Sequence, residues 1–413
     1  MATASSVAAT AYVFKIYYAG QLGDVAMRSH PTLDSIPKSS KASGHTGSFK
    51  GTTFNYAIKF GNSQGISGSF TGAQSAAGPT KGKQFAAARF VKYGDIVIDG
   101  VSLLASQDEG AFLDLVTLET DGVITEHIDR EAFDLFRDTT GIRGKRASIS
   151  TNTVTLSVVD DARNFKIDMV VGASPNADGS APRTGTTTVT AVNLSAGTIT
   201  LASAAAIGSF ADNDFLFNSG DVGTCMEGMA VCTPTTAPVL GSDSFRGVDR
   251  GTYPELLAGS RLTVAISQNQ TIEENFGQLG ILINTTGGKA TDGVLNPLNF
   301  WAVVRRGNAR VEFNQAGGEL NYGFETAVIS TPAGNIRLHS DPDCPTTVGR
   351  LYNPASHYLR CLGPGGSSEF VHIINDDGNY NLRSTTADQV ETRTRSIKNY
   401  IQNNTRDHGV FLV

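Results

Sequence analysis

The chain has 413 residues, of which 40% are hydrophobic and 17% charged, and it carries a formal net charge of −6 at pH 7. This composition excludes a disordered protein and predicts two or three domains with separate cores, and the acidic balance disfavours a dedicated nucleic-acid binder, because phosphate contacts need clustered Lys and Arg. Four cysteines, no apolar run of about 18 residues and a start rich in Ala, Ser and Thr predict folding in a reducing cytoplasm, without export or a membrane span.

The first 47 residues predict an extended arm. They show no helical stripe and little to bury beyond an aromatic patch of Tyr12, Phe14, Tyr17 and Tyr18. At roughly 3.3 Å per residue such an arm can cross a neighbouring subunit. Segments of this kind are ordered only when they dock on something.

A two-stranded finger is predicted next. Residues 54–60 alternate apolar and polar side chains, which is the period of a strand, and residues 61–83 are rich in Gly, Ser, Ala and Thr, which indicates a long loop. A second strand at 90–101 is expected to return antiparallel to the first. Because an isolated hairpin is marginal in water, we expect the finger to pack on a neighbouring subunit.

Residues 108–138 give the longest helical signal, about 45 Å if the helix is continuous. The apolar side changes at Asp121-Gly122, so the helix either breaks there or packs two different partners. The polar face of its second half is assigned to solvent: Glu126, Asp129, Arg130 and Asp134. These carboxylates are interpreted as a solvated helix face and not as a catalytic pair.

Residues 144–221 consist of short strand-like runs separated by Gly, Asp, Asn and Pro, with an exposed loop expected at 175–183. They predict a small β-barrel or sandwich. From residue 223 to 363 the pattern becomes mixed α/β. Thr271 and Glu274 have the spacing of a capping box, which predicts a helix that Gly287-Gly288 ends, and Asn296-Pro297 opens a short helix that ends at Gly307.

The C-terminal part predicts further strands. One runs over 370–374, a turn follows at 375–378, and a return strand passes through Tyr380 and Leu382. The last strands are predicted at 390–401 and 409–413. Basic residues in this part could face nucleic acid or alternate on an exposed strand: Arg383, Arg393, Arg395, Lys398 and Arg406.

Candidate ligand sites are few. His339, Cys344, His357 and Cys361 form the sharpest zinc hypothesis, although their spacing lacks a C-x₂₋₄-C knuckle and separate core residues are the favoured interpretation. Asp212-Asn213-Asp214 opens like a calcium loop, but Phe217 stands where that loop needs Gly.

Catalytic and phosphate-binding motifs are equally weak. The run Gly363-Pro364-Gly365-Gly366 lacks the P-loop Lys and is interpreted as a plain loop. No H-E-x-x-H motif occurs, and the seven histidines show no spacing suited to a triad. The sequence therefore predicts no catalytic, cofactor or metal site.

The order of these elements along the chain resembles that of a known family, and three groups of residues support the resemblance. They are residues 89–94 with 98–100 and 103–106, residues 164–171 with 197–201 and Gly220-Asp221, and residues 247–250 with Tyr253-Pro254 and Asn296-Pro297. They resemble the end of the E-loop, the β-insertion and the approach to the A-domain in the major capsid proteins of tailed double-stranded DNA bacteriophages. The likeness covers nearly the whole chain.

The resemblance implies an α+β chain with the Hong Kong 97-type capsid fold. Its expected parts are an N-terminal arm at 1–47, an E-loop hairpin finger at 48–104, the long spine helix of a P-domain at 105–143, an inserted small β-barrel or sandwich at 144–222, a mixed α/β A-domain at 223–365 and return strands that complete the P-domain at 366–413.

The function implied is structural and not enzymatic. Hexamers and pentamers of the chain close an icosahedral shell around packaged double-stranded DNA, in a virion that is assembled in the host cytoplasm. The implied partners are other copies of the chain and a portal, with a decoration protein left open, and no membrane. Because no acidic, heptad-like N-terminal stretch occurs, we expect that a separate scaffolding protein, or the arm itself, assists assembly. Some relatives cross-link Lys to Asn, but Lys59, Lys81 and Lys83 in the finger have no marked partner, so no cross-link is predicted.

Three alternatives stay open at this stage. An encapsulin-type compartment shell uses the same fold and would differ in its cargo. A phage tail or adhesin β-protein would explain the strands and glycines but not the long helix. An enzyme with a spatially assembled site would hydrolyse or transfer something as a soluble monomer. The shell size, the host and the subunit contacts do not follow from the sequence.

Overall fold

A computed structural model describes residues 29–39, 53–106, 115–306, 311–313, 326–363, 371–374, 382–383 and 387–413. Its helices are α1 Pro31–Ser35, α2 Phe70–Ala76, α3 Gly100–Ser106, α4 Leu115–Phe136, α5 Met229–Cys232, α6 Pro254–Ala258, α7 Val264–Ser267, α8 Ile272–Thr285 and α9 Pro297–Arg306.

The strands fall into three groups along the chain. The first group is β1 Lys38–Ser39, β2 Phe54–Gly61, β3 Lys81–Ala87 and β4 Phe90–Asp99. The second is β5 Ile142–Ser150, β6 Thr153–Leu156, β7 Val170–Ser174, β8 Thr187–Asn193, β9 Thr198–Leu201 and β10 Phe215–Asn218. The third is β11 Ser244–Phe245, β12 Val248–Asp249, β13 Ser260–Arg261, β14 Asp292–Leu295, β15 Val311–Phe313, β16 Thr326–Thr331, β17 Gly334–Ser340, β18 Val348–Tyr352, β19 His357–Cys361, β20 His372–Ile373, β21 Leu382–Arg383, β22 Gln389–Gln402 and β23 Gly409–Leu412.

The finger is built differently from the sequence prediction. β2 forms its antiparallel pair with β3, which begins within the last three residues of the expected loop at 61–83. α2 lies within that expected loop, in the segment that connects the two strands. β4, the expected partner, pairs instead with β22, from Phe90 opposite Lys398 to Asp99 opposite Gln389. The predicted pairing was wrong because β4 buries Ile96 and Ile98 against the body and therefore belongs to a body sheet.

α4 is continuous through Asp121-Gly122. Near its start Val123 packs on Ile96 and Ile98 of β4, and towards its end Ala132 and Leu135 enter the main core. The second of the two alternatives is therefore correct, since one helix packs two partners. Residues 107–114, which include the start of the predicted helix, lie outside the described ranges.

β22 is the centre of a six-stranded sheet. It pairs with β4, β19, β20 and β21, and β1 adds to β19 in parallel. The described parts of the expected C-terminal hairpin, β20 and β21, both pair with β22 and not with each other, so that hairpin prediction was wrong for these residues. The turn at 375–378, together with residues 370 and 380, lies outside the described residues.

β5 to β10 close a barrel in the order β10-β5-β6-β9-β8-β7. Alternating apolar residues fill its centre: Val154, Leu156, Val171, Val189, Ile199 and Leu216. The expected loop at 175–183 contains no helix or strand, and its turn is held by bonds between Asn176 and Ser180.

A seven-stranded sheet runs in the order β13-β23-β18-β14-β17-β16-β15, with α8 and α9 packed on it. The capping box is confirmed, since Thr271 Oγ1 accepts from the Glu274 amide and Glu274 Oε2 accepts from the Thr271 amide. Gly287 adopts φ +79 just beyond α8, where a left-handed residue ends a helix. The predicted C-terminal strands are also confirmed as β22 and β23, which lie in different sheets.

Candidate assembly surfaces

The tip of the finger exposes large apolar side chains. Ile66, just before α2, is 90% exposed, and Phe70, the first residue of α2, is 78% exposed. Ser69 caps this short helix by accepting a hydrogen bond from the Gly72 amide at 3.1 Å. A folded monomer gains nothing from holding two such side chains in water, so the tip is a candidate contact surface.

The root of the finger is rigidly held. Tyr56 and Phe85 stack with ring centroids 5.2 Å apart, and the buried Arg246 donates to the Tyr56 hydroxyl, to Glu227 and to the Tyr400 carbonyl. A guanidinium with three acceptors fixes its neighbours in orientation as well as in distance. The finger therefore presents its tip from an ordered base.

The predicted extended arm over residues 1–47 was wrong for its described part, because residues 31–35 form α1 and residues 29–39 are fastened to the body by His30. This residue is 3% exposed, with Nε2 2.7 Å from Asp129 of α4 and Nδ1 2.6 Å from Asp343 in the turn after β17. Leu33 and Ile36 enter the main core beside it. Residues 29–39 thus join three parts of the chain, which the sequence did not reveal because neither carboxylate is near in sequence.

The geometry sets the charge of His30. Both ring nitrogens can donate only in the imidazolium form. Burial by itself lowers the pKa of His30, but the bonds to Asp129 and Asp343 outweigh it and raise the pKa to about 9. Burial by itself raises the pKa of Asp129, but the hydrogen bonds from His30 and Lys166 outweigh it and hold this pKa below its ordinary value. The cluster is an ion pair at neutral pH.

The three carboxylates in the second half of α4 that were assigned to solvent are not a solvated face, which corrects the sequence interpretation. Asp129 and Asp134 are 7% and 1% exposed, and Glu126 is half-buried. Lys166 from the barrel region binds Glu126 and Asp129, and Lys92 of β4 binds Asp134. The face that looked like a water-facing surface is covered by cations from distant segments.

The four residues of the zinc hypothesis do not come together. His339 Nε2 lies 3.1 Å from the Tyr352 hydroxyl, and the His357 ring packs on the other side of Tyr352. Cys344 and Cys361 are free and buried, and burial raises the pKa of their thiols to about 12 and about 11. Among the residues that the structure describes, no three His, Cys, Asp or Glu side chains form a metal-binding group.

The residues of the calcium hypothesis serve the barrel. Asp212 pairs with Arg146 at 3.0 Å. The two carboxylate oxygens of Asp214 accept hydrogen bonds from Nε and Nη2 of Arg183. Asn213 adopts φ +71 at the turn between them. Of the glycine-rich run, Gly363 precedes residues 364–366, which lie outside the described part of the chain.

The basic C-terminal residues are divided between surface and interior: Arg383, Arg393 and Arg406 are exposed, Arg395 is half-buried and Lys398 is buried. β22 is paired along both edges, and over its first half buried residues alternate with exposed or half-buried ones, as predicted, whereas its second half is buried. Lys398 is buried and pairs with Glu131 of α4, and Arg393 pairs with Glu391. Arg406 is exposed beside Lys59 in a cleft at the root of the finger. Lys81 and Lys83 are exposed on β3.

No family model and no curated protein matches the sequence. Among solved structures, the whole chain is similar to capsid chains. None of the helices in the described ranges is long and apolar enough to cross a membrane.

A chain of the cyanophage A-1(L) capsid asymmetric unit is 12% identical, with 97% of both chains covered and a TM-score of 0.51. A chain from the capsid of a native GTA particle is 9% identical, with 99% of this chain and 98% of that chain covered and a TM-score of 0.47. The SrpI encapsulin of Synechococcus elongatus is 7% identical, with 98% and 94% covered and a TM-score of 0.43. At these identities a match bears on the fold alone, and we base the argument on the cyanophage chain. It confirms the prediction of a phage capsid fold.

Proposed function

We propose that this chain is the major capsid protein of a tailed double-stranded DNA bacteriophage. In this account its copies assemble as hexamers and pentamers into an icosahedral shell that encloses packaged DNA. The observation that carries the proposal is the match over 97% of both chains with a capsid chain. The shell belongs to a virion and is assembled in the host cytoplasm, with a scaffolding protein and a portal as further partners.

The described elements fit the parts of a Hong Kong 97-type subunit. We assign residues 1–47 to the arm, 48–104 to the E-loop segment, in which β2 and β3 form the finger and β4 joins the body sheet, 105–143 to the spine helix, 144–222 to an inserted β-barrel, 223–365 to the A-domain and 366–413 to the return strands. The closed barrel of β5 to β10 and the continuous α4 support this assignment.

The finger supports assembly energetically. Burying Ile66 and Phe70 on a neighbour would contribute about 1.5–3 kcal/mol each. Contacts of this size are weak singly but add up when each subunit has several neighbours. In a closed ring the tip would meet a different surface of the next subunit, which is a heterologous contact.

The charges favour enclosing DNA over gripping it. The chain has a net charge of −6, and two cations of β22 have acidic partners: the buried Lys398 pairs with Glu131 and the exposed Arg393 pairs with Glu391. Sequence-independent DNA binding depends on cations that are free to meet phosphate. We therefore assign no sequence-specific DNA contact and no enzymatic activity to the chain.

The test is to express the chain with its neighbouring genes, isolate particles and digest them with nuclease before extracting their contents. Closed shells that protect double-stranded DNA support the proposal. Closed shells filled with an enzyme and no DNA would assign the chain to an encapsulin-type compartment instead. A compact monomer under all conditions would overturn the assembly proposal.

A further inference from the structure

α9 turns an apolar face to water. Phe300 and Val303 are buried in the core of the seven-stranded sheet, while Leu298 is 64% exposed and Trp301 is 59% exposed. Trp301 is the one tryptophan in the sequence. Tryptophan is among the residues most enriched at the centres of protein interfaces, because its large ring combines apolar area with a hydrogen-bond donor.

An apolar groove lies on the same sheet, between α8 and β16. Its volume is about 370 Å³. Gly277 and Ile281 of α8 form one side, and Ile329, Thr331 and Pro332 form the other. Gly277 leaves the groove open, since a Cβ placed there would approach only the Thr331 methyl group, at 3.9 Å. We refer to this feature as the α8–β16 groove.

The α8–β16 groove contains acceptors that lack donors. Glu273 lines it and is 3% exposed, yet no group in the described part of the chain donates a hydrogen bond to either of its carboxylate oxygens. Gln278 Oε1 is buried there in the same condition. Arg306 comes within 3.6 Å of Glu273 Oε2, which offsets charge but is too long for a hydrogen bond. A buried acceptor without a donor costs about 1–3 kcal/mol.

We propose that Trp301 of one copy inserts into the α8–β16 groove of a neighbouring copy. The indole ring covers Gly277 and Ile281, and its N–H donates to Glu273 or Gln278. An indole provides one hydrogen-bond donor and no acceptor. A donor is what the carboxylate oxygens of Glu273 and the amide oxygen of Gln278 lack. The inference rests on the proposed function, because it requires copies of the chain to meet.

A second copy fits better than an unrelated partner, because the exposed ring and the groove occur on the same domain and are therefore supplied in equal number. Trp301 and the groove are different surfaces, so the contact joins unlike faces of two subunits and can propagate around a ring. Arg306 already lies beside Glu273 of its own copy, but Arg305, which is exposed at the basic end of α9, would approach the acidic first turn of α8 of the neighbouring copy in the same arrangement.

The single tryptophan makes a direct measurement possible. Acrylamide quenching and the emission maximum of the wild-type chain are recorded before and after assembly. The inference predicts a blue shift and a several-fold fall in the quenching constant on assembly. A ring that stays as accessible in particles as in unassembled protein would overturn the inference, whatever the variants do.

Two variants locate the contact. Trp301→Ala removes the ring, and Gly277→Leu fills the groove without forcing the backbone, so either is expected to raise the concentration needed for assembly by about tenfold or more. In any particles that Gly277→Leu still forms, Trp301 should stay open to acrylamide. Leu240→Ala, at a residue that is 70% exposed elsewhere, is the control and should assemble normally. Circular dichroism of the unassembled variants checks that they fold.

The outcomes separate the two proposals. If the wild type assembles and both variants assemble at the wild-type concentration, the Trp301 contact is wrong and the shell proposal stands. If the wild type does not assemble under any condition, both proposals fail.

Discussion

His30 fixes the arm to the body through its charge. Its two nitrogens donate to Asp129 and Asp343, and Lys166 and Arg163 approach the same carboxylates. His30, Asp129 and Asp343 are buried where an isolated charge would be costly, while Lys166 and Arg163 are half-buried at the edge of the cluster. The position of residues 29–39 therefore depends on the protonated state of His30 as well as on packing.

We predict that His30→Gln lowers the free energy of unfolding of the unassembled protein by about 3 kcal/mol at pH 7, because removing one partner of a buried ion pair leaves the others uncompensated. Gln can donate from only one atom, so it cannot satisfy both carboxylates. Urea denaturation measures the difference. Equal stability of the variant and the wild type would contradict the role given to His30.

His30 also predicts how the stability of the protein changes at alkaline pH. The folded pKa of His30, about 9, lies above its ordinary value of 6.5, so its stabilisation is fully present below pH 6.5 and is lost as the pH rises through 9. The gap between wild type and His30→Gln should close over this range. His339→Gln is the matched control: burial lowers the pKa of His339, so its gap should not change there.

His357 and His408 predict the opposite behaviour in acid. Burial lowers the pKa of both to about 3, with rings 5.6 Å apart. The unfolded chain takes up protons below pH 6.5 and the folded chain does not, so stability falls as the pH drops from 6.5 towards 3. His408→Gln should make the decline between pH 6.5 and 4 less steep in urea titrations. An unchanged slope would refute the assignment.

At this scale the sequence predicts what is local. The capping box of Thr271 and Glu274 is correct because both halves lie within one turn. The partners of His30 are 99 and 313 residues away in sequence, and no pattern near His30 indicates them. The acidic residues of α4 were assigned to water for the same reason, since Lys166 and Lys92 reach them only in the folded chain.

Two phenylalanines of the finger are expected to have different roles, one in assembly and one in the stability of the subunit. Phe70 at its tip is exposed and Phe85 at its root is 1% exposed. We predict that Phe70→Ala changes the free energy of unfolding by less than about 0.5 kcal/mol but weakens assembly. Phe85→Ala should instead destabilise the unassembled subunit by about 3–5 kcal/mol. Denaturation and sedimentation velocity measure the two effects, and a fully assembling Phe70→Ala variant would contradict the contact.

The finger also shows why element pairing was mispredicted. Residues 81–87 begin with Lys-Gly-Lys, and only Phe85 and Ala87 are buried, so the alternation is too short to mark β3 as a strand. The apolar β4 looked like the nearest partner for β2. The actual partner of β4 is β22, some three hundred positions away in sequence. The hydrophobic period of a strand does not say which other strand it pairs with.

The whole molecule is held together by its C-terminal strands. β22 completes the sheet that packs on α4, and β23 enters the seven-stranded sheet between β13 and β18. The order of elements along the sequence was sufficient to predict a phage capsid fold, because that order is a property of the whole chain. The contacts that set the elements against one another, such as Lys398 with Glu131, were not predictable from it.

The most direct test of the shell proposal is a cryo-electron microscopy reconstruction of the assembled particles. We predict a closed icosahedral shell with hexamers and pentamers, in which Ile66 and Phe70 of each finger are covered by a neighbouring subunit. Open tubes, or a compact monomer with its finger free, would contradict the account.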